Sequence, residues 1–227
     1  MKKLGVLFLL MLFAVSVQAQ ESEERNVGSF TGIKVSEGID VYLKKGDREG
    51  VRVEVSGTRL DNVLTEVSGS YLKVHLRSGN IRGKVNIRVY VTYSKLEKLY
   101  ASSAGNIFSD GVLRTEDLVL QCSSAGNIEI EVDARSIEAS ASSAGQIEIR
   151  GRTKSFEADA SSAGQINAYE LDSDAANVSA SSAGQIRLSV ESSLRADASS
   201  GGSIRFRGNP SRSITNSSSG GSVKKSN

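Results

Sequence analysis

Tryptophan is absent from the 227 residues, proline and cysteine occur once each, and aromatic residues make up only 5%. The single thiol, Cys122, has no partner for an intrachain disulfide, so no disulfide framework holds this chain together. Long leucine-rich amphipathic stretches of helical period are also missing, whereas Gly, Ser, Ala and Val are abundant. Together these features point to an all-β class.

An excess of charge is lacking as well. The chain opens MKKLGVLFLLMLFAVSVQAQ, in which Lys2 and Lys3 precede an apolar run from Leu4 to about Val15, and Val17-Gln18-Ala19 offers a cleavage site. This reads as a signal peptide, residues 1–19, cut near Ala19, with no cysteine at the cut to carry a lipid anchor. The apolar run is too short to span a bilayer, which takes about 20 residues, and nothing later is apolar enough. Loss of Lys2 and Lys3 takes the basic residues from 28 to 26 against 26 acidic ones, for a net charge of zero. A balance of that kind attracts neither nucleic acid nor anionic lipid in general. The expectation is a secreted, periplasmic or cell-surface protein with no membrane insertion and no nucleic-acid partner.

What is present is a repeat. SSAGNI stands at 102–107 and 123–128, SSAGQI at 142–147, 161–166 and 181–186, SSGGSI at 199–204, and SSGGSV at 218–223, at intervals of 21, 19, 19, 20, 18 and 19 residues. Before each motif alternate residues are small or apolar, as in Leu118, Leu120 and Cys122 or Phe156, Ala158 and Ala160; after it the alternation resumes, as in Ile128, Ile130 and Val132. Alternation of this kind is strand periodicity. Each repeat therefore reads as strand, tight turn, strand and a looser polar turn such as 133–136 or 208–211, which makes one coil of a solenoid. Coils about 4.8 Å apart give a rod of roughly 30 Å for seven repeats.

Stacking turns motif positions into columns. Ile107, Ile128, Ile147, Ile166, Ile186 and Ile204 are expected to form the core, and Cys122 to fill a narrow column otherwise held by alanine. Gly105, Gly126, Gly145, Gly164, Gly184, Gly202 and Gly221 are expected to supply positive φ at the corner. Asn106, Asn127, Gln146, Gln165 and Gln185 are expected to form an amide ladder, and the inward Ser of each pair to find a backbone partner.

The repeated S-S-A-G-[NQ]-I and the preceding F-x-G-I-K-V-x-x-G-I-D-V, Phe30 to Val41, resemble the auto-transporter adhesin "head GIN domain" family of exported bacterial proteins. The resemblance covers nearly the whole chain after the signal peptide. It implies a right-handed single-stranded parallel β-helix, shaped like the pectin lyases but without their catalytic residues, and a role in cell adhesion. The residue before the motif isoleucine is Asn in only two copies here.

Residues 20–98 hold strand patterns at 51–55, 71–76 and 85–91 and a hairpin signal at 67–71, but no hexapeptide; they read as a β-cap or irregular first coils, followed by repeats over 99–227.

No Ser-His-Asp set, phosphate loop or metal cluster is visible, and no cofactor is expected. Asp159 and Asp197 lie two coils apart, near 10 Å, too far to share one Ca²⁺. Glu129 and Glu148 stack on neighbouring coils with Glu131 nearby, and read as solvated acids. His75 alternates with apolar residues and reads as an outward strand residue. The residues thus favour a non-catalytic adhesion or binding module for glycan or surface protein, monomeric or weakly self-associating, over two alternatives: a carbohydrate-active enzyme using Glu129 and Glu148, and an envelope scaffold.

Overall fold

The computed structural model describes residues 21–77 and 85–226; the expected signal peptide, residues 1–19, lies outside them. The described chain is a parallel β-solenoid. Its first part comprises β1 (Glu21–Arg25), β2 (Gly32–Val35), β3 (Asp40–Lys45), β4 (Gly50–Ser56), β5 (Val63–Ser68), β6 (Tyr71–Leu76), β7 (Asn86–Tyr93) and β8 (Lys98–Ala101). The repeats follow as long bent strands, one per coil: β9 (Asn106–Cys122), β10 (Asn127–Ala141), β11 (Gln146–Ala160), β12 (Gln165–Ala180) and β13 (Gln185–Ala198). The last coils are split into β14 (Ser203–Arg207), β15 (Arg212–Ser217) and β16 (Ser222–Lys225).

The first half of each long strand lies on one face of the solenoid, the front, and the second half on the other, the back. The inward parity changes once per coil. In β10, Ile128, Ile130, Val132 and Ala134 are buried, Arg135 and Ser136 turn the corner, and Ile137, Ala139 and Ala141 are buried behind it. Residues 133–136 are therefore not the looser turn expected from their polarity: Asp133, Ala134 and Ser136 stay in parallel register with Arg152, Thr153 and Ser155. Gly208–Ser211 does break the strand, between β14 and β15. Differences in repeat length are absorbed by register shifts such as that between Glu148 and Arg150, which leave the hexapeptides aligned.

The isoleucine column is the core, from Ile107 at 0% exposure to Ile147 at 2%, and Val223 packs partly against it. Each isoleucine contributes roughly 1.5–3 kcal/mol on burial. Opposite it, Ala101, Cys122, Ala141, Ala160, Ala180 and Ala198 are all buried and keep the interior thin.

The glycines play a different part from the expected one. In the hexapeptide turn the left-handed residues are the second Ser and the Ala, with φ of 49° and 61° at Ser103 and Ala104 and similar values in the copies that follow. Gly201 and Gly220 replace that alanine in the last two copies. Two successive positive φ values, closed by a hydrogen bond from Gly105 N–H to Ser102 O at 2.9 Å, suit a type I′ turn. Motif glycines such as Gly145 and Gly164 follow the turn without positive φ, and are needed because the chain passes directly over the coil before. A Cβ on Gly145 would lie 2.6 Å from the carbonyl of Cys122, and one on Gly164 2.2 Å from Ala141 O. The backbone ladder runs straight through the turn, Ala125 N–H donating to Ser143 O at 3.1 Å. The second Ser is exposed rather than inward. The buried hydroxyls lie at the opposite corner, where Thr153 Oγ1 donates to Arg135 O at 3.2 Å and Ser173 Oγ to Ser189 O.

The N-terminal part combines coils with antiparallel closing strands. β2 and β3 form one coil, β6 and β7 stack on one side of it, and β8 and β9 on the other, all in parallel. Residues 36–41, SEGIDV, occupy the hexapeptide position of that coil: Val35 pairs Ala101, Asp40 pairs Asn106, and Glu37 and Gly38 have φ of 63° and 69°. The motif is thus present in the first third in a form too divergent to be seen as a repeat. Antiparallel strands close this end, β4 on β7 and β1 on β4 at the front, β5 on β6 at the back. The β5–β6 hairpin turns at Gly69, φ 60°, where the sequence signals it. At the far end β15 is exposed at every residue.

Candidate functional site

The two glutamates singled out from the sequence do meet. Glu129 and Glu148 are direct neighbours on adjacent coils, and Arg150 clasps both, its Nη2 lying 3.2 Å from Glu129 Oε1 and 2.6 Å from Glu148 Oε1, with Nε 3.3 Å from Glu170. Hydrogen bonding to Glu148, its strongest partner, and the surrounding acids raise the Arg150 pKa further. The guanidinium stands between the carboxylates on an open strand face and pairs with both. Asp159 and Asp197 are separated by Ser179, and Arg195 pairs with Asp197 at 3.1 Å. Among the described residues, no three His, Cys, Asp or Glu side chains converge where they could hold a metal ion.

The amide column also differs from expectation. Asn127, Gln146, Gln165 and Gln185 stack in register, yet among the described residues the side-chain bond in this column is from Asn106 Nδ2 to Asp40 Oδ1, at 2.7 Å. The glutamines are exposed, so water competes for their amides. Cys122 is buried, and desolvation pushes its thiol up to about 11. We expect it to resist a thiol-specific disulfide reagent such as DTNB in the folded protein and to react stoichiometrically once denaturant opens the coil; rapid labelling without denaturant would contradict the buried position.

The unusual surface lies at the other end of the molecule. Four of the six tyrosines, Tyr42, Tyr71, Tyr90 and Tyr100, face outward from the first three coils together with Phe108. On the front, Tyr90, Tyr42 and Phe108 stand on successive strands β7, β3 and β9 as a stack, with centroids 5.3 Å apart at both steps and planes inclined by 22° and 24°. The Arg52 guanidinium covers the outer face of Tyr90, 4.3 Å from its centroid. Lys44, Arg48, Thr92, Ser109 and Asp110 border this stack in a groove of about 830 Å³.

On the back, Gly32 makes room for a second cluster. A Cβ there would lie 2.6 Å from two ring carbons of Tyr71, so the absence of a side chain lets that ring lie across β2. It reaches Tyr100 edge-on, with centroids 5.5 Å apart and hydroxyls at 3.5 Å. That hydrogen bond lowers the Tyr71 pKa and, with burial, raises that of Tyr100 to about 12. Lys34 Nζ sits 4.3 Å from the Tyr71 centroid and 4.9 Å from that of Tyr100, and Lys98 Nζ 6.0 Å from Tyr71. His75 is partly buried at the rim of a back-face trough of about 580 Å³. None of these aromatics was singled out from the sequence. The available signal was tyrosine at the outward parity of apolar strands, as in Val41-Tyr42-Leu43 and Val89-Tyr90-Val91.

The same architecture occurs in solved structures. A crystal structure of a "putative adhesin" from Bacteroides fragilis superposes with a TM-score of 0.84 at 17% identity, covering 92% of this chain and 98% of that one. Structures so described from Parabacteroides merdae and Parabacteroides distasonis give TM-scores of 0.74 and 0.71 at 14% and 19% identity, each over 92% of this chain and over 96% and 98% of theirs. At such identities the likeness speaks for the fold alone. No curated protein is detectably similar to the chain. The family model described as "putative auto-transporter adhesin, head GIN domain" matches residues 29–210, most of the chain, and the protein belongs to that family.

Proposed function

We propose that this protein is an exported, non-catalytic adhesion module that binds glycan through the front groove of its first three coils. The observation that carries this reading is the stack of Tyr90, Tyr42 and Phe108 beside Arg52, Lys44 and Asp110. A sugar ring presents apolar C–H patches bounded by hydroxyls. The ring stack offers an apolar ridge three strands long with hydrogen-bonding side chains along both sides, and aromatic anchors of this kind dominate binding energies. The repeats over 99–227 then serve as a rigid stalk that holds the groove, within 20–98 and the adjoining coil, away from its attachment. The signal sequence at 1–19 supports export to the periplasm or cell surface. Among the described residues no helix is long and apolar enough to cross a membrane.

A glycan array probed with the exported chain tests this reading. Binding to at least one neutral glycan class is expected, and Tyr42→Ala, which removes the middle ring, is expected to weaken it by about 30-fold, the equivalent of about 2 kcal/mol. Tyr42→Ala binding equal to wild type, or an array with no neutral glycan bound, would overturn the assignment of the groove.

A further inference from the structure

We infer that the back face of the first three coils is a second binding site, separate from the front groove, that takes the carboxylate or sulfate groups of an acidic polysaccharide. Lys34 and Lys73 stand directly opposite each other on β2 and β6. Like charges so placed repel, and among the described residues neither has a carboxylate within ion-pair distance. The acids nearest in register do not relieve this: Glu66 faces Lys73 from β5 without an ion pair, Glu97 pairs with Lys95 at 2.6 Å and otherwise interacts with Lys98, and Glu138 lies toward Tyr100. Lys98 adds a third cation over Tyr71. Two ammonium groups without a carboxylate partner, Lys34 and Lys73, are therefore gathered in one place, Lys34 over two tyrosine rings that the glycine at 32 lets pack across β2.

The surroundings indicate what kind of anion fits. The trough leads from Lys34, Lys73 and His75 over Ala101 and Cys122 to Gln121 and Ser140, so hydroxyl and amide groups continue where the cations stop. From β6 to β10 it crosses five parallel strands, about 19 Å at the strand spacing. This suits a linear polyhydroxylated chain with its acidic groups at the lysines and a sugar ring beside Tyr100. Lysine heads are point charges without the bidentate fork of arginine, which matches a single carboxylate or sulfate oxygen better than a clamped phosphate. Three cations are also few for a nucleic acid, where affinity scales with the phosphates neutralised.

Titration calorimetry with oligogalacturonate, a sulfated heparin oligosaccharide and a neutral cello-oligosaccharide of equal length tests the inference, with free galacturonate and inorganic sulfate as monomeric probes. One or both acidic oligomers are expected to bind, more tightly than their monomers, with affinity falling as salt rises. Lys34→Gln with Lys73→Gln is expected to weaken this binding at least tenfold, and Gly32→Ala, which displaces the Tyr71 ring and removes no charge, severalfold. Lys154→Gln, on the far corner, serves as a control for loss of a cation elsewhere and is expected to leave it unchanged. Binding of the double variant within twofold of wild type, or no binding of either acidic oligomer, would overturn the inference. Because neutral glycan is read in a separate arm, failure here is distinguishable from failure of the front groove. If Gly32→Ala does not fold, as judged by its melt, the lysine variant decides.

Discussion

Ile147→Asp, or Ile166→Asp, is expected to abolish the cooperative thermal transition of the repeats. Both side chains are buried, at 2% and 1% exposure, in the middle of a continuous column with an isoleucine above and below. An aspartate there loses the transfer energy of the isoleucine and brings a carboxylate into an apolar interior with no cation facing it. The combined cost exceeds about 4 kcal/mol, a large share of the stability of any domain. Each coil contacts chiefly its two neighbours, so a break at Ile147 also separates the coils before it from those after it. A calorimetric melt is the measurement, and an unchanged midpoint for either variant would refute the assignment of this column as core.

The second large effect separates the two roles a turn glycine can have. Gly164→Ala is expected to lower stability by about 2–4 kcal/mol, because its Cβ would sit 2.2 Å from Ala141 O, a backbone atom that moves only if the coils part. The preceding residue behaves oppositely. Ala163 carries φ of 61°, so Ala163→Gly relieves left-handed strain of about 1–2 kcal/mol and adds about 0.5–1 kcal/mol of unfolded-state entropy, leaving the protein neutral or slightly more stable. Denaturant melts of the two single variants decide the matter. If Ala163→Gly proved the more damaging of the pair, close coil-to-coil approach would not be the reason for the glycine.

The sequence made the stack legible because its periodicity is visible in two directions at once. Alternation along each repeat identifies the inward residues, and the nearly constant interval between SSAG copies identifies their columns; Ile128, Ile147 and Ile166 follow from these two facts. The role of Gly164 was not legible, since contact with Ala141 is a property of neighbouring coils and leaves no mark on the local turn pattern, which by itself asks for positive φ. SEGIDV at 36–41 was hidden because Ile39 stands where later copies have glycine, and the interval to the next copy is interrupted by β4 to β7. The aromatic surfaces were hidden for a related reason. Tyr90, Tyr42 and Phe108 become neighbours only through the pairing of β7 with β3 and of β3 with β9, and no spacing in the chain announces that order.

The inverted order of the first coils constrains how the chain can fold. In the repeats a new coil pairs with the one just completed, as Asn127 with Asn106 and then Gln146 with Asn127 illustrate, so growth proceeds by short loop closures. β2 and β3 are made first but are flanked by strands made later, and Asp40 meets Asn106 across 66 residues. Long closures are entropically costly and slow. Residues 32–45 therefore wait with both edges unpaired while β6, β7, β8 and β9 are synthesised, and the end of the molecule that bears the aromatic surfaces assembles as one non-local unit. Refolding is accordingly expected to be limited by this N-terminal unit, although the longer part of the protein is the simple repeat.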